Sequence, residues 1–176
     1  GRDRWTLDQA LAFYRAAPAI ARAHGVHFVH ETHRGRCFFN PRDTWAVLER
    51  VPETRLTADY SHWVNVLERL MGPRDGIERF APFVDHIHAR VGYEHGPQVP
   101  DPRAPEWQRH VDAHERWWDA IWDAQQRAGA AVTTLTPEFG PPQYLHTQPY
   151  TGMPVADLWD ICTWQAQRQA ERFARR

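Results

Sequence analysis

Four short apolar stretches of this chain each run into an acid or a histidine near their C-terminal end, and that pattern restricts the fold more than any other feature. Val26-His-Phe-Val-His-Glu31 ends on Glu31, and Arg55-Leu-Thr-Ala-Asp59 ends on Asp59, with His62 three residues on. Val84-Asp-His-Ile-His-Ala-Arg90 carries His88, and Ala130-Ala-Val-Thr-Thr-Leu-Thr-Pro-Glu138 delivers Glu138 before a Gly-Pro-Pro break. Glu31 and Asp59 are 28 residues apart, Asp59 and His88 are 29 apart, and His88 and Glu138 are 50 apart. The last interval is longer because it holds a long loop and a long helical pattern. Alternating strand and helix implies a parallel sheet with helices outside it. One βα unit per functional residue, with the site at the strand C-terminal ends, is what a (β/α)8 barrel requires. A whole barrel takes about 250 residues, whereas 176 hold four units. The expectation is α/β: parallel (βα) units, four strands with outer helices, forming half of a TIM barrel. Residues 1–176 are expected to be one domain, incomplete at an N-terminus that begins with Gly rather than Met.

The element boundaries follow from local chemistry. Thr6-Leu-Asp-Gln9 fits a capping box for a first helix, which Pro18 is expected to kink and Gly25 to close. Asp43 can cap a short helix carrying Trp45, Leu48 and Val51. Asn65 is read as opening the next helix, and Pro105 as starting a long one that stops at Gly129. A last helix from about residue 155 is expected to bury Leu158, Trp159, Cys162 and Phe173. Gly92 to Pro105 is the longest irregular stretch, a length that usually carries function.

Composition removes several functions. All 21 basic residues are arginine and the net charge is −1. Without lysine there is no Schiff-base nucleophile and no P-loop lysine, and without a basic excess no nucleic-acid or anionic-membrane surface is expected. Two cysteines outside any CxxC motif fit a cytoplasmic setting. Eleven histidines beside them direct any metal to oxygen and nitrogen ligands. Two glutamates, an aspartate and a histidine converging at strand ends suit Mn²⁺, Mg²⁺ or Co²⁺, with Zn²⁺ also compatible.

Glu31 in His-Glu-Thr-His, Asp59 and His62 in Asp-Tyr-Ser-His, His88 in His-Ile-His-Ala-Arg and Glu138 in Thr-Pro-Glu-Phe-Gly resemble the C-terminal half of the xylose isomerase-like TIM barrels. This superfamily of sugar and sugar phosphate isomerases and epimerases also contains endonuclease IV. The resemblance covers about residues 7 to 175 and rests on short motifs whose order and spacing are the specific part. It implies that Glu31, Asp59, His88 and Glu138 hold one divalent metal and that Glu31 and Glu138 exchange protons with a small sugar or polyol-ketone substrate. It further implies that His62 binds a substrate oxygen. Epimerases of this type place a substrate arginine farther beyond the metal histidine, where this chain has Gly92-Tyr-Glu94, so Arg90 becomes the substrate-binding candidate. The chemistry agrees independently: removing a proton α to a carbonyl needs a positioned base and stabilisation of the enediolate oxygen.

Two rival readings follow from the same residues. One is an endonuclease IV-like metal-dependent phosphodiesterase, disfavoured by the near-neutral charge. The other is a non-catalytic half-barrel whose open sheet edges call for a second copy or a missing N-terminal half. Asp112-Ala-His114 resembles an endonuclease IV ligand pair but lies in a helical pattern, where an exposed polar pair is expected. His30 and His86 are expected to pack or hydrogen-bond within the layers. The Trp117-Trp118 pair reads as helix packing, and His33, Trp63 and Tyr93 are candidates to line a pocket.

Overall fold

A computed structural model describes residues 1–176. Strands β1 (His30–Glu31), β2 (Leu56–Ala58), β3 (Val84–His88) and β4 (Thr134–Thr136) form one parallel sheet in the order β1-β2-β3-β4. Helices α1 (Leu7–Ala23), α2 (Pro41–Leu48), α3 (Tyr60–Leu67), α4 (Gln108–Arg127) and α5 (Leu158–Ala174) connect and follow the strands, with 3₁₀ turns at Ile77–Phe83 and Pro105–Trp107. No helix is long and apolar enough to cross a membrane.

The strands are short because each ladder is bounded by its neighbour. The N–H of His30 donates to Arg55 and that of Thr32 to Thr57, so β1 pairs only over the reach of β2. Residues Val26 to Val29 therefore lie outside any ladder. The two faces of the sheet differ. Leu56, Ala58, Val84, Ile87 and Ala89 are buried against the helices, where Trp63, Phe80, Trp118 and Ile121 complete the core. Rings there meet edge-on or stacked, as Trp63 does with Phe80 at 5.0 Å and with Tyr60 at 4.9 Å between centroids. The other face carries Glu31, Thr57, Asp59, His86, His88, Thr134 and Thr136.

Several boundaries differ from expectation for identifiable reasons. Helix α1 runs unbroken through Pro18, because the buried stripe of Leu11, Tyr14, Ala17 and Ala21 holds both sides of it together. Asn40, not Asp43, caps α2, with Pro41 in the first turn and the Asp43 N–H as the donor. Helix α3 opens at Tyr60 rather than at Asn65, since the Asp59 carboxylate already accepts from the Ser61 N–H. In α5 the inward face is Ile161, Gln165 and Gln169, while Trp159 and Phe173 are exposed. Glutamines can face inward because Gln165 donates to the Ala89 carbonyl at 2.7 Å and Gln169 to Glu115 at 2.8 Å.

Candidate metal centre at the strand ends

The register places Glu31, Asp59, His88 and Glu138 at one end of the sheet. Each offers a ligand atom, and these four atoms all lie within 4.8 Å of one another. Glu31 and His88 close β1 and β3. Asp59 directly follows β2 and doubles as the N-cap of α3, so the ordinary capping role and the cluster coincide in one side chain. Glu138 lies two residues beyond β4 with φ of +54°, a left-handed conformation that a side chain of this size adopts at a cost of order 1–3 kcal/mol. Strain of that kind persists only where surrounding contacts enforce it.

Asp59 is fully buried, and both of its oxygens accept hydrogen bonds while one acceptor position stays open. One oxygen accepts from the Ser61 N–H at 3.1 Å and from the Ser61 hydroxyl, and the other accepts from Arg90. Burial raises the pKa of this carboxyl, but the Arg90 guanidinium, then His62 and the Ser61 hydroxyl, outweigh it and hold the group ionised, well below the usual carboxylate range. Arg90, expected to face substrate, is itself buried. Its remaining neighbours are Glu138 Oε2 at 3.6 Å, His62 Nε2 at 2.9 Å and the ring face of Tyr144 at 4.6 Å.

His62 is buried, and burial, opposed only in part by Asp59, lowers its pKa to about 4. The imidazole is therefore neutral at pH 7. Because Arg90 donates to Nε2, the ring proton sits on Nδ1, which is buried with no partner. The His33 ring lies 3.8 Å from it, centroid to centroid, and Glu31, His33 and His62 form a second group of converging ligand atoms that shares Glu31.

The geometry around His88 bears directly on whether these residues fit a cation. His88 Nδ1 is 3.3 Å from Glu31 Oε1 and 2.5 Å from Glu138 Oε2. A single N–H cannot point at both oxygens, and Glu138 Oε2 meets His88 at ion-pair distance without the alignment of a hydrogen bond. Burial lowers the His88 pKa, yet the Glu138 and Glu31 carboxylates prevail and raise it to about 9. For Glu31 burial likewise acts upward and the contact with His88 brings the pKa down. With His88 deprotonated, as a metal ligand must be, three carboxylates and one guanidinium would leave two negative charges, which one divalent cation would neutralise. The donor set of oxygens plus one imidazole fits Mn²⁺, Mg²⁺ or Co²⁺.

The remaining candidates separate cleanly. Both His86 nitrogens bond threonine hydroxyls of β4, at 2.7 Å to Thr134 and 3.0 Å to Thr136. His30 packs among Phe13, Tyr14, Phe28 and Phe38 on the helix side. Trp63 is core, with its indole N–H on the Phe38 carbonyl, so it lines no pocket. Trp117 and Trp118 are buried in the helix layer. Contrary to the expected exposed pair, His114 is wholly buried: its Nε2 accepts from the Gly92 N–H at 3.2 Å, and its Nδ1 lies 2.8 Å from the His110 carbonyl. That ring fastens the long loop to α4. Two residues at the centre carry no strand-end signal. Tyr144 lies over Arg90, and Gln98 grips the Gly140 backbone; only their positions in the two long loops pointed toward them. Compared with known proteins, the chain matches no family model, no curated protein and no solved structure.

Proposed function

We propose that this chain is the metal-binding half of a (β/α)8 barrel and that its chemistry is isomerisation or epimerisation of a small sugar or sugar phosphate by proton transfer through an enediolate. The observation that carries the reading is the meeting of Glu31, Asp59, His88 and Glu138 within 4.8 Å at the C-terminal ends of four successive parallel strands. Exposed apolar side chains at both outer strands, Val26 and Phe28 beside β1 and Val132 beside β4, suit a sheet that continues in a second half.

The four residues would hold one divalent cation, which supplies electrostatic stabilisation for negative charge developing on a substrate oxygen. Glu31 and Glu138 flank His88 and are each partly open to solvent, so one serves as base and the other as acid toward a carbon between them. The His62 Nδ1–H, left without an acceptor, donates to a substrate oxygen. Arg90 keeps Asp59 ionised and fixes the His62 tautomer, so it acts on the substrate through those two residues.

Deuterium uptake from D₂O at the carbon next to a ketose carbonyl, in Mn²⁺-loaded protein, tests this. Glu138→Gln should slow the exchange by about 10²–10⁴-fold. Exchange that Glu138→Gln leaves at the wild-type rate would falsify the assignment. A second reading draws on the Glu31, His33 and His62 group, because carboxylate-bridged cations suit phosphodiester cleavage. The charge balance favours the first: a second divalent ion would leave the cluster with two uncompensated positive charges. Nicking of abasic DNA without any ketose exchange would reverse that preference.

A further inference from the structure

The strained backbone at Glu138 has a specific restraint two residues away. Gly140 donates its N–H to Gln98 Oε1 at 2.7 Å, and Gln98 Nε2 donates back to the Gly140 carbonyl at 3.2 Å. Gln98 is 1% exposed and belongs to the long irregular segment between β3 and α4. One amide thus satisfies both backbone groups of a single residue, as a neighbouring strand would, at a point where β4 has already ended. Phe139, between Glu138 and Gly140, is buried, so the segment is held by its side chain as well as by its backbone.

The far side of Gly140 is closed too. A Cβ there would approach the Tyr144 ring to 3.1 Å, so the residue must be small for Tyr144 to lie against it and over Arg90. The segment that carries Glu138 is therefore gripped from the β3–α4 loop on one side and packed by Tyr144 on the other. The loop in turn is anchored: Val99 donates to the Val91 carbonyl at 2.9 Å, and His114 accepts from Gly92. These contacts form a continuous path from α4 through the loop to the carboxylate. They give the longest irregular stretch of the chain a task that does not require it to move.

We propose that Gln98 is the positioning residue for Glu138: its paired bonds to Gly140 hold the left-handed turn that aims the Glu138 carboxylate at His88. This inference rests on the metal reading above for its consequence, but the grip itself is a property of the protein without metal. A carboxylate held in a strained conformation by one amide loses its aim when that amide is removed. Residues that orient a metal ligand typically change affinity by about 10–100-fold when replaced.

The test uses Gln98→Met, which keeps the length and apolar volume of the side chain and deletes both bonds. Gln169→Met is the comparison, because Gln169 is equally buried but bonds Glu115 on the outer helices. Titration with Mn²⁺ alone should show affinity falling about 10–100-fold in Gln98→Met and unchanged in Gln169→Met. The visible spectrum of the Co²⁺-loaded protein should shift only in Gln98→Met. Hydrogen exchange of the Gly140 amide should accelerate at least about tenfold in Gln98→Met, whether or not metal is added, since its acceptor is gone. Gln98→Glu, which keeps the acceptor but puts a carboxylate against the Gly140 carbonyl, should leave Gly140 less protected than wild type and Mn²⁺ binding impaired. Wild-type Mn²⁺ affinity and an unchanged Co²⁺ spectrum in Gln98→Met overturn the proposal, as does an equal loss in Gln169→Met. If wild-type protein takes up neither Mn²⁺ nor Co²⁺, the metal reading fails. The grip is then decided by the Gly140 amide alone, and unchanged exchange in Gln98→Met overturns it.

Discussion

The two faces of this four-stranded sheet have opposite chemistry. The face toward the helices is Leu56, Ala58, Val84, Ile87 and Ala89, buried and unbroken by any charge. The other presents acids, histidines and threonines from every strand, joined by hydrogen bonds such as those of His86 to Thr134 and Thr136. Parallel sheets with both faces covered read as near-continuous apolar runs. These strands instead carry polar side chains toward one face, from Thr57 in β2 to His86 and His88 in β3. The apolar packing therefore lies on one side and the candidate site on the other, and substitutions on the two sides should fail in different ways.

The helix side should show the largest effects and no dependence on metal. Trp118, wholly buried between α4 and the sheet, should cost about 3–5 kcal/mol when replaced by alanine. Urea denaturation should give that loss with and without Mn²⁺. A Trp118→Ala protein restored by Mn²⁺ would break the division between the faces.

Arg90→Met should be nearly as costly, for an electrostatic reason. It strands the Asp59 carboxylate, buried and ionised, without its counter-ion, a change worth about 3–5 kcal/mol. Here a divalent cation supplies the missing positive charge, so Mn²⁺ should recover part of the loss. The same denaturation series run with Mn²⁺ checks this; a deficit that stays constant would place Arg90 with the structural residues.

The pH response sharpens the contrast further. His88 is raised from 6.5 to about 9 in the metal-free protein by the neighbouring carboxylates, against the effect of burial. A raised pKa means that the protonated form is stabilised by folding. That contribution is complete below 6.5 and disappears as pH climbs from 6.5 to about 9. Asp59 is shifted the other way, so its contribution is present above the ordinary carboxylate range and is lost as pH falls through and below it. Metal must displace the His88 proton, so Mn²⁺ affinity should increase by up to about tenfold per pH unit between 6.5 and 9. Calorimetric titration in buffers of different ionisation heat would detect the proton released. Affinity that is flat across this range would remove His88 from the ligand set.

How much of this was visible in the chain differs between the faces as well. The acids and histidine at the ends of apolar stretches and the regular spacing of Glu31, Asp59 and His88 located the sheet and the cluster, because a parallel connection repeats at a regular length. That Val84 and Ile87 share the helix side depends on a register shift opposite Leu56 and Thr57, which no local signal announces. The surroundings of the cluster were not legible. That Asp59 caps α3 while bonding Arg90 depends on β3 lying beside β2, a non-local fact. The left-handed turn at Glu138 has no glycine or asparagine to announce it. Helix α5 misled for the opposite reason: Trp159 and Phe173 are apolar, yet Gln165 and Gln169 face inward because buried carbonyl and carboxylate acceptors await them.

The smallest expected effect tests the comparison most finely. Thr134→Val removes the hydroxyl 2.7 Å from His86 Nδ1 but keeps a β-branched side chain that suits a strand. On a dry, fully packed face the loss would leave a buried nitrogen unsatisfied, costing about 1–3 kcal/mol. His86 is only partly buried and Thr134 is exposed, so water can replace the hydroxyl. The expected change is accordingly at the low end for a lost hydrogen bond, about 0.5 kcal/mol. A loss near 3 kcal/mol by urea denaturation would mean that this face is covered in solution. The second set of βα units, or a second copy, would then already be in place over the cluster.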